Sequence, residues 1–158
     1  MNNDGSRKAV ENGKKFETTT DLGFRLEDKE YCDVIHQNEF YDYFGIVWNN
    51  FLAKKILPDE VVINHRNQTI YIIEKKYRSE SRTSAHSDDE KLYACDARKQ
   101  MFKKMLKNHG FGYKVEIIYL MSEGFHRPYY NDLFEYMKEH DVKYYFNDIP
   151  VRDLGIYD

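Results

Sequence analysis

Two short apolar segments joined by a polar turn constrain the fold of this chain more than any other feature. Residues 61–63 and 69–73 consist almost entirely of β-branched and aromatic side chains, which favour buried strands. Residues 65–68 between them are polar, and this arrangement predicts a β-hairpin. Pro58 disfavours a helix at Leu57, so the first strand is expected to begin close to this point.

The rest of the sequence alternates between helical and extended patterns. Apolar side chains at three- and four-residue steps predict a core-facing helix at 37–55. An S-x-x-E capping box at 87–90 predicts the start of a long helix that ends at the glycines of 109–112. A weak helix, a strand, a second helix and a final strand are predicted at 7–17, 113–121, 129–139 and 143–146. This alternation predicts an α/β sheet with helices on its faces.

The composition predicts how many domains the chain forms and which classes of protein it can belong to. Of the 158 residues, 41% are hydrophobic and 32% are charged, which predicts one folded domain, residues 1–158, with a flexible tail at 1–6. No apolar run is long enough to cross a membrane, and Cys32 and Cys95 lack the spacing of a zinc site or a disulfide framework. We therefore expect a cytoplasmic protein. The net charge of -3 neither requires nor excludes a nucleic-acid partner.

The hairpin carries charged residues at its open end. If its turn is centred between Arg66 and Asn67, Asp59 and Glu74 are equally distant from that centre and lie directly opposite each other. Opposed residues share one sheet face with their Cβ atoms about 4.5–5.5 Å apart, so both carboxylates can ligate one metal ion. The two-residue period of a strand adds Lys76 to this face. A register slip of one residue would separate the two carboxylates.

Paired carboxylates of this kind suit the hydrolysis of phosphodiester bonds. A Mg²⁺ ion, which prefers carboxylate oxygens and retained waters, neutralises the phosphate and activates the attacking water. Lys76 can then orient that water or stabilise the developing charge. The alternative is that these charges only mark strand ends that reach solvent, since an isolated E-x-K triplet is common. Two opposed acidic groups destabilise a hairpin, however, which favours a functional role for Asp59 and Glu74.

These residues resemble the motif of the PD-(D/E)xK nuclease superfamily. The resemblance covers roughly residues 14–121 and rests on Pro58-Asp59, the apolar hairpin and the sequence IIEKK at 72–76. It implies a restriction-endonuclease-like αβββαβ core, a central mixed sheet flanked by helices, in which Asp59 and Glu74 are metal ligands and Lys76 is the catalytic lysine. The segments LPDE, YIIEKKY, DEKL and YFNDIP are in addition similar to small bacterial restriction-type proteins.

Many members of the superfamily use a further acidic residue from the first helix. Residues 13–17, with the sequence GKKFE, match the usual G-x-x-F-E form and favour Glu17, although the threonines that follow weaken this helix. Glu39 is the alternative, and either residue could be a solvated surface carboxylate. Some members also use a lysine or glutamine from the helix after E-x-K, a position that Lys99 and Gln100 fit. A lysine that snorkels from the apolar face is the simpler explanation for Lys99.

Basic and polar residues after the hairpin are candidates for nucleic-acid contacts. They could line the approach of DNA through phosphate contacts, while the loop at 79–87 could reach base edges. Several of them belong to a helix face that would be solvated in any case. The candidates are Arg78, Arg82, Lys99, Gln100, Lys103, Lys104 and Lys107. The sequence HRN at 65–67 does not continue into an HNH nuclease site, because the remaining positions do not follow at usable spacing.

The expected function is a Mg²⁺-dependent endonuclease, with Mn²⁺ as a substitute metal, that hydrolyses double-stranded DNA. The resemblance favours a type II restriction endonuclease of bacterial or phage type. A homodimer is expected because a two-fold dimer matches palindromic DNA. The alternatives are a Holliday-junction resolvase or DNA-repair nuclease of the same fold, and a DNA-binding module that has lost catalysis. No motif indicates a small-molecule cofactor.

Overall fold

Five strands form one mixed sheet in the computed structural model, which describes residues 3–80 and 89–157. In chain order the strands are β1 Cys32–His36, β2 Glu60–Asn64, β3 Thr69–Lys76, β4 Lys114–Met121 and β5 Lys143–Phe146. Their order across the sheet is the same as their order along the chain. β1, β2 and β3 are antiparallel, whereas β4 and β5 continue parallel to β3. The central β3 therefore has one antiparallel and one parallel neighbour.

Helices cover this sheet and connect its strands. They are α1 Asn3–Thr19, α2 Leu22–Arg25, α3 Glu39–Phe44, α4 Asp89–Leu92, α5 Cys95–Leu106 and α6 Asn131–Glu139. Short 3-10 turns occur at Trp48–Asn50, Glu123–Phe125, Pro128–Tyr130 and Val151–Leu154. In the ranges that the structure describes, no helix has both the length and the apolar character needed to cross a membrane.

The two faces of the sheet pack against different parts of the chain, because successive side chains of a strand point to opposite sides. On one side, which we call the α5 face, Val61 and Ile72 pack with residues of α3, α5 and α6. On the other side, the α2 face, Val62 and Ile73 pack with α2 and with the C-terminal segment 149–156. The middle of the sheet is thus buried on both faces, and polar side chains are accommodated mainly at its ends.

The α/β sheet flanked by helices that the sequence predicts is confirmed, and so is the hairpin. Glu60 of β2 pairs with Ile73 of β3, which centres the turn between Arg66 and Asn67 as predicted. The last two predicted strands are also present as β4 and β5. The register that determines which charged residues share a face could therefore be read from the sequence.

The helix predicted at 37–55 is confirmed only over Glu39–Phe44, and its predicted continuation to residue 55 is wrong. α3 ends at Phe44 because Gly45 adopts a left-handed conformation with φ 63°, which stops a helix and which glycine reaches without steric cost. Trp48 and Phe51 still pack against the core, but from a 3-10 turn and its flank. The spacing of these apolar residues correctly predicted that they pack against the core, but it incorrectly predicted a helical backbone.

Three other elements differ from the sequence patterns. β1 is not predicted by them, since Asp33 and His36 interrupt its apolar character. The long helix predicted from the capping box is divided into α4 and α5, and residues 87–88 of that box lie outside the described residues. α1 begins at Asn3 and so includes residues of the expected tail at 1–6, of which 1–2 lie outside the described residues.

Candidate active site

Asp59 and Glu74 meet at the open end of the hairpin. Glu74 and Lys76 follow Ile72 at two-residue steps along β3, so all three residues belong to the α5 face. Asp59 lies immediately before β2, and its Oδ2 accepts a hydrogen bond of 2.7 Å from the backbone N–H of Lys75. This bond anchors the Asp59 carboxylate to β3 beside Glu74. The structure thus brings together the two carboxylates that the sequence places opposite each other.

Glu74 is almost completely buried, with 2% of its surface exposed. Burial raises the pKa of its carboxyl group to about 7, and the negative charge of Asp59 acts in the same direction. The positive charges of Arg98 and Lys76 oppose this shift without cancelling it. A carboxyl group with this pKa changes its charge near neutral pH, which is typical of groups that bind metal ions or take part in catalysis.

Arg98 of α5 holds Glu74 in place and was not singled out by the sequence patterns. Its Nε donates a hydrogen bond of 2.8 Å to Glu74 Oε1, and its Nη2 donates one of 2.9 Å to the carbonyl of Leu57. Arg98 therefore links Glu74 to the loop that carries Asp59. Its position could have been found, because it lies three residues after Cys95 and four before Phe102 on the apolar face of α5.

Lys76 and Glu17 complete the group. The Lys76 ammonium has no hydrogen bond or ion pair within the described ranges, and its charge lowers the pKa of both Glu74 and Glu17. Partial burial raises the pKa of Glu17, and the charge of Asp59 raises it further. Glu17 and Asp59 both line a pocket of about 210 Å³. The alternative carboxylate, Glu39, instead accepts a hydrogen bond of 3.2 Å from the backbone N–H of His36.

The oxygen atoms of Asp59 and Glu74 fit a hard divalent cation. Each carboxylate uses one oxygen for a bond that fixes its orientation: Glu74 Oε1 accepts from Arg98, and Asp59 Oδ2 accepts from the Lys75 backbone. Glu74 Oε2 and Asp59 Oδ1 accept no hydrogen bond from any described residue. Two oriented carboxylates with one oxygen each to offer, and space for waters, form the ligand set that Mg²⁺ and Mn²⁺ prefer.

Two of the predicted nucleic-acid contacts have internal partners instead. Arg78 is buried, and its guanidinium contacts the Asp89 carboxylate at 3.1 Å and the hydroxyl of Tyr130. Lys99 is also buried, and its Nζ donates hydrogen bonds of 3.0 Å to the carbonyls of His140 and Asp141. These contacts join parts of the core and leave no support for phosphate binding by either residue. Arg82 lies outside the described residues.

Gln100 and Lys103 line a different cavity from the one that Asp59 lines. They line a groove of about 620 Å³ between α5 and the first residues of β4 and β5, including Lys114. β4 runs from Lys114 to Met121, and Met121 is the partner of Lys76 in the sheet register. Lys114, at the β4 end of the groove, is thus about 20 Å from the strand position beside Lys76 at ~3.3 Å per residue. On α5, in contrast, Gln100 is only two residues after Arg98, which contacts Glu74.

A second group of titratable side chains lies on the α2 face at the same end of the sheet as Asp59. His36 of β1 pairs with Glu60 of β2, and its Nε2 lies 3.0 Å from Glu60 Oε2 and 3.2 Å from Asp21 Oδ1. Partial burial lowers the pKa of His36, but the charges of Asp21 and Glu60 outweigh this effect and raise it overall. The one signal for this group in the sequence is the two-residue period of a strand, which places Glu60 on the opposite sheet face from Asp59.

The free energy of unfolding of the metal-free protein is expected to fall as the pH rises from about 4.5 to about 7. Burial raises the pKa of Glu74 to about 7, whereas the unfolded chain has its ordinary value of 4.5, so the folded state holds an extra proton within this interval. The expected loss is about 3 kcal/mol. Urea denaturation across this pH range measures it, and Glu74→Gln should remove this component. An unchanged slope in Glu74→Gln would assign the effect to another group.

Comparison with known proteins provides no assignment for these residues. No family model matches the chain, and no curated protein gives a significant match. What the two groups of side chains can do is therefore inferred from their geometry, burial and charge.

Proposed function

We propose that this protein is a divalent-metal-dependent endonuclease that hydrolyses phosphodiester bonds in double-stranded DNA. The proposal rests above all on the meeting of Asp59 and Glu74 at the open end of one hairpin. Lys76 extends from the same sheet face with an ammonium that forms no ion pair or hydrogen bond with any described residue, and Glu17 reaches the neighbouring pocket. If the short helices α2, α3 and α4 are set aside, the order α1, β1, β2, β3, α5, β4 is compatible with the αβββαβ core that the resemblance to PD-(D/E)xK nucleases implies.

Each side chain of the site has a different role in the proposed hydrolysis. Asp59 and Glu74 would hold Mg²⁺, or Mn²⁺ as a substitute, which when bound neutralises the scissile phosphate and acidifies a water molecule. Arg98 fixes the orientation of the buried Glu74 carboxylate. Its second hydrogen bond, to the carbonyl of Leu57, holds the loop that carries Asp59 close to Glu74. Lys76 can hold the attacking water by donating an N–H hydrogen bond to its oxygen, or stabilise negative charge on the phosphate. Glu17 adds a carboxylate that can orient waters at the same pocket.

Within this class we favour a restriction-type endonuclease that acts as a homodimer. Two copies related by a two-fold axis would present two equivalent sites to the two strands of a palindrome. In each copy, Lys103 and Lys104 of α5 and Lys107 directly after it are exposed and have no ion pair within the described ranges. They could contact backbone phosphates that flank the reacting phosphate.

Cleavage of supercoiled plasmid tests the proposal. The wild-type protein is expected to nick or linearise the plasmid with Mg²⁺ or Mn²⁺ and to do neither with EDTA. Asp59→Asn should lower the rate by at least about 100-fold, because it removes one ligand charge. Glu135→Gln, which changes an exposed carboxylate on α6, a helix that carries none of the proposed site residues, should cleave as the wild type does. Equal cleavage by the wild type and Asp59→Asn would refute the assigned site.

The choice of substrate distinguishes the members of this class. Discrete fragments from a long duplex would support a restriction endonuclease, whereas cleavage confined to four-way junctions would indicate a resolvase. Binding of DNA without cleavage under any metal would indicate a binding module and contradict the proposed catalysis. Sedimentation of the protein with a palindromic duplex tests the homodimer, since two chains per duplex are expected.

A further inference from the structure

We infer that Asp21, His36 and Glu60 form a second cation site, whose ligands differ from the carboxylates on the α5 face and suit a transition-metal ion such as Zn²⁺. The three donors come from three places in the chain: the residue before α2, the end of β1 and the start of β2. One ligand atom from each lies within 4.8 Å of the others. This inference does not depend on nuclease activity.

The spacing of the donor atoms suits a small ion. Donors bound to a tetrahedral ion at about 2.0–2.1 Å are about 3.3 Å from one another. His36 Nε2 lies 3.0 Å from Glu60 Oε2 and 3.2 Å from Asp21 Oδ1. An ion could therefore bind among these three residues with only small side-chain movements. Three protein ligands would leave the fourth position to a water molecule.

The protein already holds both carboxylates in position. Glu60 is fully buried, its Oε1 lies 3.0 Å from Lys75 Nζ, and its Oε2 accepts a hydrogen bond of 2.9 Å from the backbone N–H of Leu22. Asp21 Oδ1 accepts one of 2.7 Å from the backbone N–H of Gly23. Because these contacts fix both carboxylates, an ion that binds here would have to order fewer side chains. In known metal sites, contacts outside the ligand set orient the ligands in the same way.

Burying a carboxylate as deeply as Glu60 is costly unless positive charge compensates it. Lys75 supplies one charge, but Asp21 and Glu60 together carry two, and His36 lies directly between them. A divalent ion could replace the proton of His36 in this position. The second ring nitrogen of His36, Nδ1, lies 3.7 Å from Glu39 Oε1, close to the arrangement in which a carboxylate orients a metal-bound histidine.

The donor set and the access route decide which ion fits. An imidazole nitrogen with two carboxylates favours Zn²⁺ and other first-row transition ions, whereas Mg²⁺ prefers oxygen donors alone. The side chains of His36 and Asp21 are 40% and 38% exposed, and both line the pocket of about 210 Å³. An ion and its water can therefore enter from solvent. The basic groove at the other end of the sheet has the carboxylates of Glu116 and Asp141 in its lining but no histidine among its described residues.

Titration of the full chain with Co²⁺, a coloured substitute for Zn²⁺, tests the inference after treatment with a chelator. The wild type is expected to show a visible absorption band that Zn²⁺ abolishes by competition and that persists in excess Mg²⁺. His36→Ala and Asp21→Asn should each weaken binding by roughly 100-fold. Asp59→Asn, at the α5-face site, should keep the band, which separates this result from the outcome of the nuclease assay.

A matched control comes from a second histidine–carboxylate pair on the surface. His126 Nδ1 lies 3.0 Å from Glu123 Oε1, so His126→Ala removes a comparable pair without touching the proposed site. Circular dichroism of each metal-free variant establishes that it is folded. Absence of Co²⁺ and Zn²⁺ binding by the wild type, or equal affinity in the wild type and a folded His36→Ala or Asp21→Asn, would overturn the inference.

Discussion

Replacing Lys76 with methionine is expected to lower the rate of DNA cleavage by ~10²–10⁴-fold while leaving the stability of the protein nearly unchanged. Methionine keeps an unbranched side chain and removes only the ammonium. That ammonium has no hydrogen bond or ion pair within the described ranges, so its loss breaks no contact of the folded state. Its effect should appear in catalysis, since it is the cation nearest in sequence to Glu74 on the same face of β3.

Two measurements separate these effects. Plasmid cleavage under saturating Mg²⁺ gives the loss of rate, and thermal unfolding gives the change in stability. Lys54→Met, which changes an exposed lysine in the loop before β2, is the matched control and should retain wild-type cleavage. If Lys76→Met cleaves within about threefold of the wild type, Lys76 is not the catalytic lysine and the charged hairpin end needs another explanation.

The hairpin could be predicted because short-range patterns fix it. A polar turn between two apolar strands determines the register, and the register determines that Asp59 meets Glu74. The two-residue period of the strand then places Lys75 and Lys76 on opposite faces of the sheet. These properties depend on a few neighbouring residues, so one sequence is sufficient to find them.

Long-range packing explains most of what the sequence patterns missed. Arg98 and Lys99 are adjacent on α5, yet Arg98 turns to Glu74 whereas Lys99 binds carbonyls after α6. Helical spacing places both near the apolar face, and only the packing of α5 on the sheet decides between them. The sequence patterns also did not identify His36. It belongs to β1, whose polar residues interrupt the apolar alternation by which a strand is predicted.

Glu60 shows why burial of charge is difficult to predict. In the sequence it is one of several carboxylates around the hairpin and follows directly after Asp59. In the structure it is fully buried on the α2 face, and burial raises its pKa although Lys75 opposes the shift. The sequence patterns do not reveal that this carboxylate is buried beside a lysine of the neighbouring strand, so they offered no reason to select Glu60.

Replacing Lys75 with methionine is expected to destabilise the protein by about 3–5 kcal/mol, in contrast to the same change at Lys76. Lys75 Nζ lies 3.0 Å from Glu60 Oε1, and both side chains are almost completely buried. Its removal leaves the Glu60 carboxylate without its charge partner and also breaks the 3.2 Å hydrogen bond to the carbonyl of Glu17. Urea denaturation at pH 8 measures the loss.

The dependence of this loss on pH and on Glu60 identifies its cause. Without Lys75 the pKa of Glu60 should rise further, so the folded state can take up a proton at low pH and the destabilisation should be smaller at pH 5 than at pH 8. The double variant Glu60→Gln/Lys75→Met should recover much of the stability at pH 8, because no unpaired charge then remains buried and glutamine can still accept from the backbone N–H of Leu22. Equal destabilisation in the single and double variants would mean that Lys75 stabilises the fold through packing and its contact with Glu17, and not through the charge of Glu60.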